Sequence, residues 1–180
     1  IGGAYDAVKK SEGVHVGHNS GENDCYTPVP YVEAARRVMG SIDCDPASSE
    51  IANRTVKAKT FFTKDDDGLS KKWKGNVFLN PPYAQPLISK FSLLVSSNYE
   101  KSNIEQACVL VNNATETAWF SQIAGQSSAI CFPSSRIKFL DPNGKPGAPL
   151  QGQAILYLGP NHKKFCSEFS EFGFVCHVIH

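Results

Sequence analysis

The sequence predicts an α/β fold built on a mainly parallel sheet. Short apolar runs that suit buried strands, at 76–79 (NVFL) and 107–111 (ACVLV), alternate with longer segments of helical periodicity. With 180 residues, 41% of them hydrophobic and 19% charged, the chain has the length and composition of a globular domain with its own core. This alternation favours a parallel sheet, because a helix is the usual connection between parallel neighbours.

Charge, hydropathy and cysteine spacing argue against several classes of protein. The formal net charge is +1, from 18 basic and 17 acidic residues, so no large basic surface is expected. No apolar run approaches the length of a membrane-spanning helix, and the first residues lack the apolar core of a signal peptide. The six cysteines form no CxxC pair and the five histidines have no ligand spacing. We therefore expect no metal site, and free thiols in a cytoplasmic protein.

The N-terminal part of the chain divides into a lead-in and a first helix. Residues 1–24 are rich in Gly, Ser, His and Asn and are predicted to be a flexible lead-in, and residues 25–180 are predicted to form the single domain. The segment TPVPYVEAARRVMG predicts a helix, because Thr27 suits the N-cap, Pro28 the first helical position and Gly40 the position after the end.

Short strands and one long helix are predicted for the middle of the chain. Residues 41–48 (SIDCDPAS) predict a short strand and a turn, and residues 61–73 a polar loop. The buried strand at 76–79 runs into the turn NPPY at 80–83. Residues 85–99 predict an amphipathic helix. Its predicted inward face consists of Leu87, Ile88, Phe91, Leu94 and Val95.

Strands and two helices are predicted for the C-terminal part. A fully buried strand at 107–113 precedes a helix at 115–124, for which Thr115 is the expected cap. The remaining predicted elements are strands at 128–132, 136–140 and 152–159, a helix that ends at Gly173, and a strand at 174–179.

Three of the predicted strands end in polar clusters. These are Asp43–Asp45, Asn80 and Asn112–Asn113. In open α/β sheets, ligands bind in the crevice outside the carboxyl ends of the strands. The sequence therefore predicts a binding site where these three clusters meet.

The turn NPPY has the parts needed to activate an aromatic exocyclic amine. Such an amine is a poor nucleophile because its lone pair is delocalised into the ring. The side-chain carbonyl of Asn80 and the backbone carbonyl of Pro81 can hold the two N–H groups off the ring plane, which makes the lone pair available. Pro81 and Pro82 stiffen the backbone, and Tyr83 can stack on a base. The plain alternative is a turn that merely ends a strand.

Together with other motifs, this turn resembles the phage-type Dam-like DNA N6-adenine methyltransferases, a family also found in bacterial genomes. The combination is more specific than NPPY alone, which methyltransferases acting on glutamine or guanine also carry. In family order, the matching segments are YTP (26–28), IDCDPAS (42–48), FFTKDDDGLSKKWKGNVFLNPPY (61–83), VLVNNATETAWF (109–120), SSRIKF (134–139) and PLQGQAILYLG (149–159).

The resemblance implies a Rossmann-like, S-adenosylmethionine-dependent methyltransferase fold with a mostly parallel sheet and a terminal antiparallel strand. It implies an enzyme that transfers a methyl group from S-adenosylmethionine directly to N6 of an adenine flipped out of DNA. No metal and no membrane are expected to take part, and the expected location is the cytoplasm of a bacterial or phage-infected cell. The implied catalytic residues are Asn80, Pro81, Pro82 and Tyr83.

The resemblance also points to candidate donor and DNA sites. The loop after the first strand departs from the general methyltransferase pattern, because no GxG follows it. The candidates for binding the methyl donor are Tyr26, Thr27, Pro28, Asp43, Asp45, Pro46, Ala47, Ser48, Asp66 and Asp67. The candidates for contact with the base or the DNA are Asn112, Asn113, Thr115, Arg136 and Lys138.

Structural alternatives remain for these assignments, and the acceptor also stays open. The DPAS turn could simply cap a helix, the YTP segment could be a plain helix cap, and the acidic run at 65–67 could be a solvated loop. The methyl acceptor could be cytosine N4, RNA or a protein glutamine. A different class is a catalytically silent nucleic-acid-binding module.

Overall fold

The computed structural model describes residues 25–147 and 151–179, which form a mixed α/β structure. The predicted lead-in at 1–24 lies outside the described residues. In chain order the elements are α1 (Val29–Met39), β1 (Cys44–Asp45), α2 (Glu50–Val56), β2 (Thr60–Phe61), a 3-10 turn (Gly68–Ser70), β3 (Asn76–Leu79), α3 (Leu87–Glu100), β4 (Gln106–Asn112), α4 (Ala118–Ala124), β5 (Ala129–Pro133), β6 (Gln153–Leu158), α5 (His162–Phe169) and β7 (Gly173–His177).

The described strands form one seven-stranded sheet in the order β2-β1-β3-β4-β6-β5-β7. The pairs β1/β2, β1/β3 and β3/β4 are parallel, whereas β4/β6, β5/β6 and β5/β7 are antiparallel. A parallel sheet is therefore confirmed for the first four strands, and the terminal strand β7 is antiparallel to its neighbour as expected. The antiparallel part is larger than predicted, because β6 also runs against both of its neighbours. The described part of the connection between β5 and β6 contains no helix, and β6 returns directly beside β5 as an antiparallel partner.

Helices pack on both faces of the sheet. Along β3, Phe78 belongs to one hydrophobic cluster and Val77 and Leu79 to the other, as the two-residue period of a strand requires. Helices α1 and α5 cover the first face, and α3 and α4 cover the second. Burial on both faces is the reason why β3 and β4 are continuous apolar runs, and both were predicted from that pattern.

Helix α1 begins two residues after Thr27, so the prediction that Thr27 is its N-cap is wrong. Pro28 occupies the N-cap position, with ψ of 143°, and no side chain caps the helix. Pro30 in the first turn has no N–H, which leaves fewer helix donors in need of a cap. The predicted end is confirmed, since Gly40 follows the helix with φ of 85°.

Two further predicted helix boundaries are displaced by local contacts. Thr117, rather than Thr115, is the N-cap of α4. Helix α5 ends at Phe169, and Gly173 instead opens β7. A Cβ atom on Gly173 would lie 2.2 Å from the carbonyl oxygen of Phe132 on the neighbouring strand, so this glycine allows the two strands to approach closely.

The predicted strand at 136–140 does not form as part of the sheet. Leu140 instead makes isolated backbone bridges with Tyr26 and with Pro146. The apolar alternation of this segment reflects burial of single side chains beside the sheet, which a period-two pattern alone cannot distinguish from a strand.

Short elements and one helix face also differ from the prediction. Helix α2 and strand β2, of 7 and 2 residues, were not predicted, because periodicity cannot be read over so few residues. On α3, the buried positions include Ile88, Phe91 and Val95 as expected, and Leu94 is partly buried. Leu87 is exposed, since it stands at the first position of the helix.

Buried side-chain amides close the amino ends of β3 and β4. The Nδ2 atom of Asn76 donates to the Met39 carbonyl and to the Ser41 hydroxyl, both at 3.0 Å. The Nε2 atom of Gln106 donates to the Met39 carbonyl (3.1 Å) and to Oδ1 of Asn76 (3.0 Å), and the Tyr157 hydroxyl donates to Oε1 of Gln106. Because these buried polar groups are paired with one another, this end of the sheet is fixed against the end of α1.

Within residues 25–147 and 151–179, no helix has the length and apolarity to cross a bilayer. No three His, Cys, Asp or Glu side chains lie together in those ranges as a metal would require. The cysteines carry free thiols, of which Cys44, Cys108 and Cys131 are buried.

Gly68→Ala tests the contact between the acidic loop and the turn after β1. A Cβ atom on Gly68 would lie 1.9 Å from the backbone carbonyl oxygen of Pro46, so one of the two backbones must shift. We expect the free energy of unfolding to fall by about 1–3 kcal/mol, as for other overpacked sites, when measured by urea denaturation. The control is Gly125→Ala, where φ is −65° and the nearest atom is 3.2 Å away. Equal stabilities for the two variants would contradict this close approach.

Candidate functional site

A cavity of about 930 Å³ opens at the carboxyl ends of β1, β3 and β4. The parallel direction of these strands brings the turns that follow them to one edge of the sheet. The segment 139–142, which precedes β6, supplies another wall. Of the residues predicted from sequence, the cavity is lined by Tyr26, Thr27, Asp45, Ala47, Ser48, Asn80, Pro81, Pro82, Tyr83 and Asn112.

The side chain of Asn80 is held by hydrogen bonds at both ends of its amide. Its Nδ2 atom donates to the backbone carbonyl of Cys25 (3.1 Å) and to the Thr27 hydroxyl (3.2 Å). Its Oδ1 atom accepts a hydrogen bond from the Tyr83 hydroxyl at 2.9 Å. All three bonds agree on one orientation of the amide.

This orientation leaves acceptor capacity on a residue that lines the cavity. A carbonyl oxygen has two lone pairs, and the Tyr83 hydroxyl occupies one of those on Oδ1 of Asn80. The second can accept a hydrogen bond from an N–H group of a bound molecule. The adjacent backbone of Pro81 and Pro82 also lines the cavity, and both φ angles are restricted by the proline rings.

Tyr83 is both a support for Asn80 and part of the cavity wall. Its ring lies edge-on to Phe139, with a centroid distance of 6.1 Å and an interplanar angle of 70°. Burial raises the pKa of the Tyr83 hydroxyl above its ordinary value, so the group stays protonated and donates to Asn80.

Asp45 places a buried carboxylate at the end of β1. Its side chain is 3% exposed and accepts a hydrogen bond from the N–H of Ala47 at 3.3 Å. Burial raises the pKa of Asp45 to about 6, and the hydrogen bonds of the turn only partly oppose this shift. No ion pair between described residues includes Asp45. At neutral pH, Asp45 therefore carries a negative charge that no ion pair among the described residues neutralises.

A buried glutamine organises the wall beside β4. The Gln153 side chain accepts from the N–H of Ile137 (2.9 Å) and donates to the carbonyl of Gln151 (2.7 Å) and to Oδ1 of Asn112 (3.5 Å). Asn112 is thereby oriented at the cavity edge, and the segment that carries Phe139 is tied to β6.

Asp43 lies outside the cavity, although the sequence predicts that it binds the methyl donor. Its carboxylate forms an ion pair with Lys59 at 2.6 Å and accepts from the N–H of Asn76 at 2.9 Å and from the Ser41 hydroxyl at 3.1 Å. Burial opposes the change, yet the bonds from Lys59, Asn76 and Ser41 lower the pKa of Asp43 below its ordinary value. These contacts tie the start of β1 to the start of β3, at the edge of the sheet away from the cavity.

The two predicted acidic residues of the loop before β3, Asp66 and Asp67, also lie outside the cavity lining. The Oδ2 atom of Asp66 accepts from the N–H and the hydroxyl of Thr63, both at 2.8 Å, so it closes its own turn. Asp67 has a left-handed backbone, with φ of 52°, and precedes the 3-10 turn. Of this loop, Lys64 is the residue that lines the cavity.

The remaining predicted residues do not line the cavity either. Arg136 and Lys138 are exposed on the segment that leads to Phe139. The full set outside the cavity lining, besides the acidic residues above, is Pro28, Pro46, Asn113, Thr115, Arg136 and Lys138.

Several cavity residues were missed by sequence reasoning. Phe78 and Phe139 had been assigned to strands without a role in the site, and Lys64 stood in a loop considered only for its acids. Gln153 had a readable signal, because it is a polar residue at the start of an otherwise apolar run, QAILYL. A buried amide at such a place needs partners and therefore marks a junction.

Comparisons with known proteins support a family assignment. A family model described as "DNA N-6-adenine-methyltransferase (Dam)" matches residues 18–162, which is more than half of the chain. No curated protein matches the chain. Among solved structures, the chain is similar to a chain of the "Structure of Pnkp1/Rnl/Hen1 complex", with 12% sequence identity and a TM-score of 0.39. That similarity covers 74% of this chain and 42% of the other, so this chain spans less than half of the solved chain's length.

Asp45→Asn tests whether a carboxylate is buried in the cavity without a cation. The pKa of Asp45 is about 6 in the folded protein against an ordinary 3.8, so between about pH 4 and 6 the folded state binds more protons than the unfolded state. Asp45 therefore makes the wild type lose stability as pH rises through this window. We expect the unfolding free energy of Asp45→Asn, relative to the wild type, to rise by ~3 kcal/mol between pH 3.5 and 7.

Urea denaturation at several pH values measures this difference. Asp65→Asn is the matched control, because it removes an exposed carboxylate outside the cavity. A difference between Asp45→Asn and the wild type that does not change with pH would show that Asp45 is solvated, and a difference that falls as pH rises would show that it is paired with a cation.

Proposed function

We propose that this chain, which belongs to the DNA N-6-adenine-methyltransferase (Dam) family, transfers a methyl group from S-adenosylmethionine to N6 of an adenine flipped out of DNA. The observation that carries the proposal is the orientation of Asn80. Asn80 lines the cavity, its amide nitrogen is engaged by Cys25 and Thr27, and its carbonyl oxygen keeps one lone pair beyond the bond from Tyr83. An acceptor held in this way suits an exocyclic amine, which has N–H groups to donate.

Two carbonyl oxygens would act on the amine of the substrate. The side-chain oxygen of Asn80 accepts from one N–H group, and the backbone oxygen of Pro81 accepts from the other. Because the prolines limit movement of the turn, both acceptors keep their places while the nitrogen becomes tetrahedral. Hydrogen bonds that strengthen as charge develops on the nitrogen stabilise the transition state more than the ground state.

The cavity has the size and charge that the methyl donor requires. Ligand sites usually enclose ~300–1,000 Å³, and a volume of about 930 Å³ lies at the upper end of that range, which suits a donor and a base together. Asp45 is the residue we assign to the ammonium group of the donor, with Ala47 and Ser48 beside it. When bound, S-adenosylmethionine supplies an electrophilic methyl group on a positively charged sulfur.

The proposed fold class is a Rossmann-like methyltransferase fold. Four adjacent parallel strands with helices on both faces, and a site at their carboxyl ends, support this class. The donor site is then the turn after β1 and the base site the turn after β3, in neighbouring strands.

DNA would approach the cavity from the side of the segment between β5 and β6. Arg136, Lys138 and Lys145 lie on this segment and are exposed, so we propose them as contacts to backbone phosphates. A small number of such contacts agrees with a net charge of +1. Binding should then weaken with salt by a shallow slope.

The identity of the methylated nucleoside tests the proposal directly. The protein is incubated with radiolabelled donor and unmethylated DNA, and the DNA is digested to nucleosides. Label in N6-methyladenosine supports the proposal. Label in N4-methylcytosine would retain the role of the turn and change the acceptor, and no label with retained DNA binding would contradict catalysis.

Asn80→Ala should abolish methyl transfer without loss of the fold. Removal of one acceptor from the transition state is expected to lower the rate ~100–1,000-fold. Since Asn80 is partly exposed, the free energy of unfolding should change by no more than about 1 kcal/mol. Asn98→Ala is the matched control, because Asn98 lies in helix α3 and does not line the cavity. Full activity of Asn80→Ala would remove the turn from the mechanism.

Tyr83→Ala should weaken binding of DNA more than binding of the donor. Loss of a stacking ring costs about 1–3 kcal/mol per base, so we expect the Kd for DNA to rise about 10- to 100-fold. Separate titrations with DNA and with S-adenosylhomocysteine measure the two affinities. Tyr83→Phe retains the ring and loses the bond to Asn80, so it should bind DNA nearly as the wild type does. An equal loss of both affinities in Tyr83→Ala would contradict a stacking role.

A further inference from the structure

We propose that Thr27 is a positioning residue that orients the Asn80 amide. This role differs from the two that the sequence suggested for Thr27, which were a helix cap and a ligand of the donor. The inference rests on the proposed function, in which the Asn80 oxygen accepts from the substrate amine. Thr27 would act through Asn80 and would not touch the reacting atoms.

The hydroxyl of Thr27 is directed to Asn80 and not to the helix. Helix α1 begins at Val29 and receives no side-chain cap, so Thr27 does not satisfy any donor of its first turn. Thr27 is 6% exposed, and its Oγ1 atom accepts from Nδ2 of Asn80 at 3.2 Å. This nearly buried hydroxyl therefore forms its hydrogen bond with Asn80, which is 53 residues away in the chain.

The Cys25 carbonyl, which cannot donate, decides which way the amide points, and the Thr27 hydroxyl holds the second N–H group in that orientation. The Cys25 carbonyl can only accept, and it lies 3.1 Å from Nδ2 of Asn80. A reversed amide would place Oδ1 against this carbonyl, with two acceptors in contact, and would turn the NH₂ group toward the Tyr83 hydroxyl and the cavity. Thr27 supplies the second acceptor, so that both N–H groups of Asn80 have partners in the observed orientation.

The backbone that carries these acceptors is itself fastened to the cavity wall. Tyr26, which stands between them, exchanges two backbone hydrogen bonds with Leu140, each of 2.9 Å. Leu140 also bridges to Pro146, and the N–H of Gly147 donates to the carbonyl of Phe139 at 2.7 Å. Residues 25–27 therefore form a short strap between the NPPY turn and the segment that walls the cavity.

Two substitutions separate a positioning role from a structural or donor-binding role. Thr27→Val keeps the shape of the side chain and loses the acceptor, whereas Thr27→Ser keeps the acceptor. In the full chain, we expect Thr27→Val to lower kcat about tenfold, the usual scale for one lost hydrogen bond, with KM for DNA and Kd for S-adenosylhomocysteine within about twofold of the wild type. Thr27→Ser should keep kcat within about twofold.

Two kinetic outcomes would overturn the inference. One is a wild-type kcat in Thr27→Val. The other is a raised Kd for S-adenosylhomocysteine with unchanged kcat, which would return Thr27 to the donor site. If kcat falls, the Kd for S-adenosylhomocysteine rises and urea denaturation shows that the fold is lost, Thr27 has a structural role alone.

A spectroscopic measurement tests the inference independently of catalysis. In ¹⁵N-labelled protein, the side-chain NH₂ resonances of Asn80, assigned by their loss in Asn80→Ala, should shift and exchange faster with solvent in Thr27→Val. They should stay near their wild-type positions in Thr27→Ser. If the wild type methylates no nucleoside, the proposed function fails while this measurement still decides the positioning role. Unchanged Asn80 resonances in Thr27→Val would overturn it.

Discussion

The parallel register of β1, β3 and β4 is the constraint on which the site depends. Cys44 lies opposite Val77, and Val77 opposite Ala107, so three strands that are far apart in sequence end at one edge of the sheet. Their carboxyl ends carry a carboxylate on β1, an amide followed by two prolines after β3, and a second amide on β4. None of these strand ends encloses a cavity alone. Their common edge, closed by the strap at 25–27 and by the segment before β6, creates the space in which two reactants can meet.

The two ends of the sheet use polar side chains in opposite ways. At the amino ends, the amides of Asn76 and Gln106 form hydrogen bonds with each other and with neighbouring groups. These hydrogen bonds hold the strands together. At the carboxyl ends, Asp45 keeps a charge that no described ion pair neutralises, and Asn80 keeps a lone pair. Burial of incompletely satisfied acceptors costs stability, and such places are where binding and chemistry are usually found.

Sequence reasoning succeeded where structure depends on local pattern. The bounds of β3, the α/β class and the end of α1 at Gly40 follow from burial on two faces and from glycine geometry. It failed where distant residues intervene. Thr27 was expected to cap a helix because it directly precedes residues that favour a helix start. Its hydroxyl instead accepts a hydrogen bond from Asn80, which is 53 residues away and cannot be inferred from the neighbouring sequence. The segment 136–140 looked like a strand, yet its backbone pairs with Tyr26 and Pro146 rather than with the sheet. The ten predicted residues that line the cavity lie at or just after strand ends or belong to the strap, whereas the acidic loop, assigned by the same resemblance, closes on itself.

The strap between Asn80 and Leu140 also bears on attempts to transplant this chemistry. A designer who grafts NPPY onto another parallel sheet would import the stiff backbone and the ring, but the amide would arrive without the carbonyl of Cys25 and the hydroxyl of Thr27. Its NH₂ group would then be as ready to face an incoming base as its oxygen. The smallest portable unit is therefore discontinuous, because two helices, a 3-10 turn and three strands separate its two short pieces along the chain. A scaffold must be judged by whether it can hold both pieces at once.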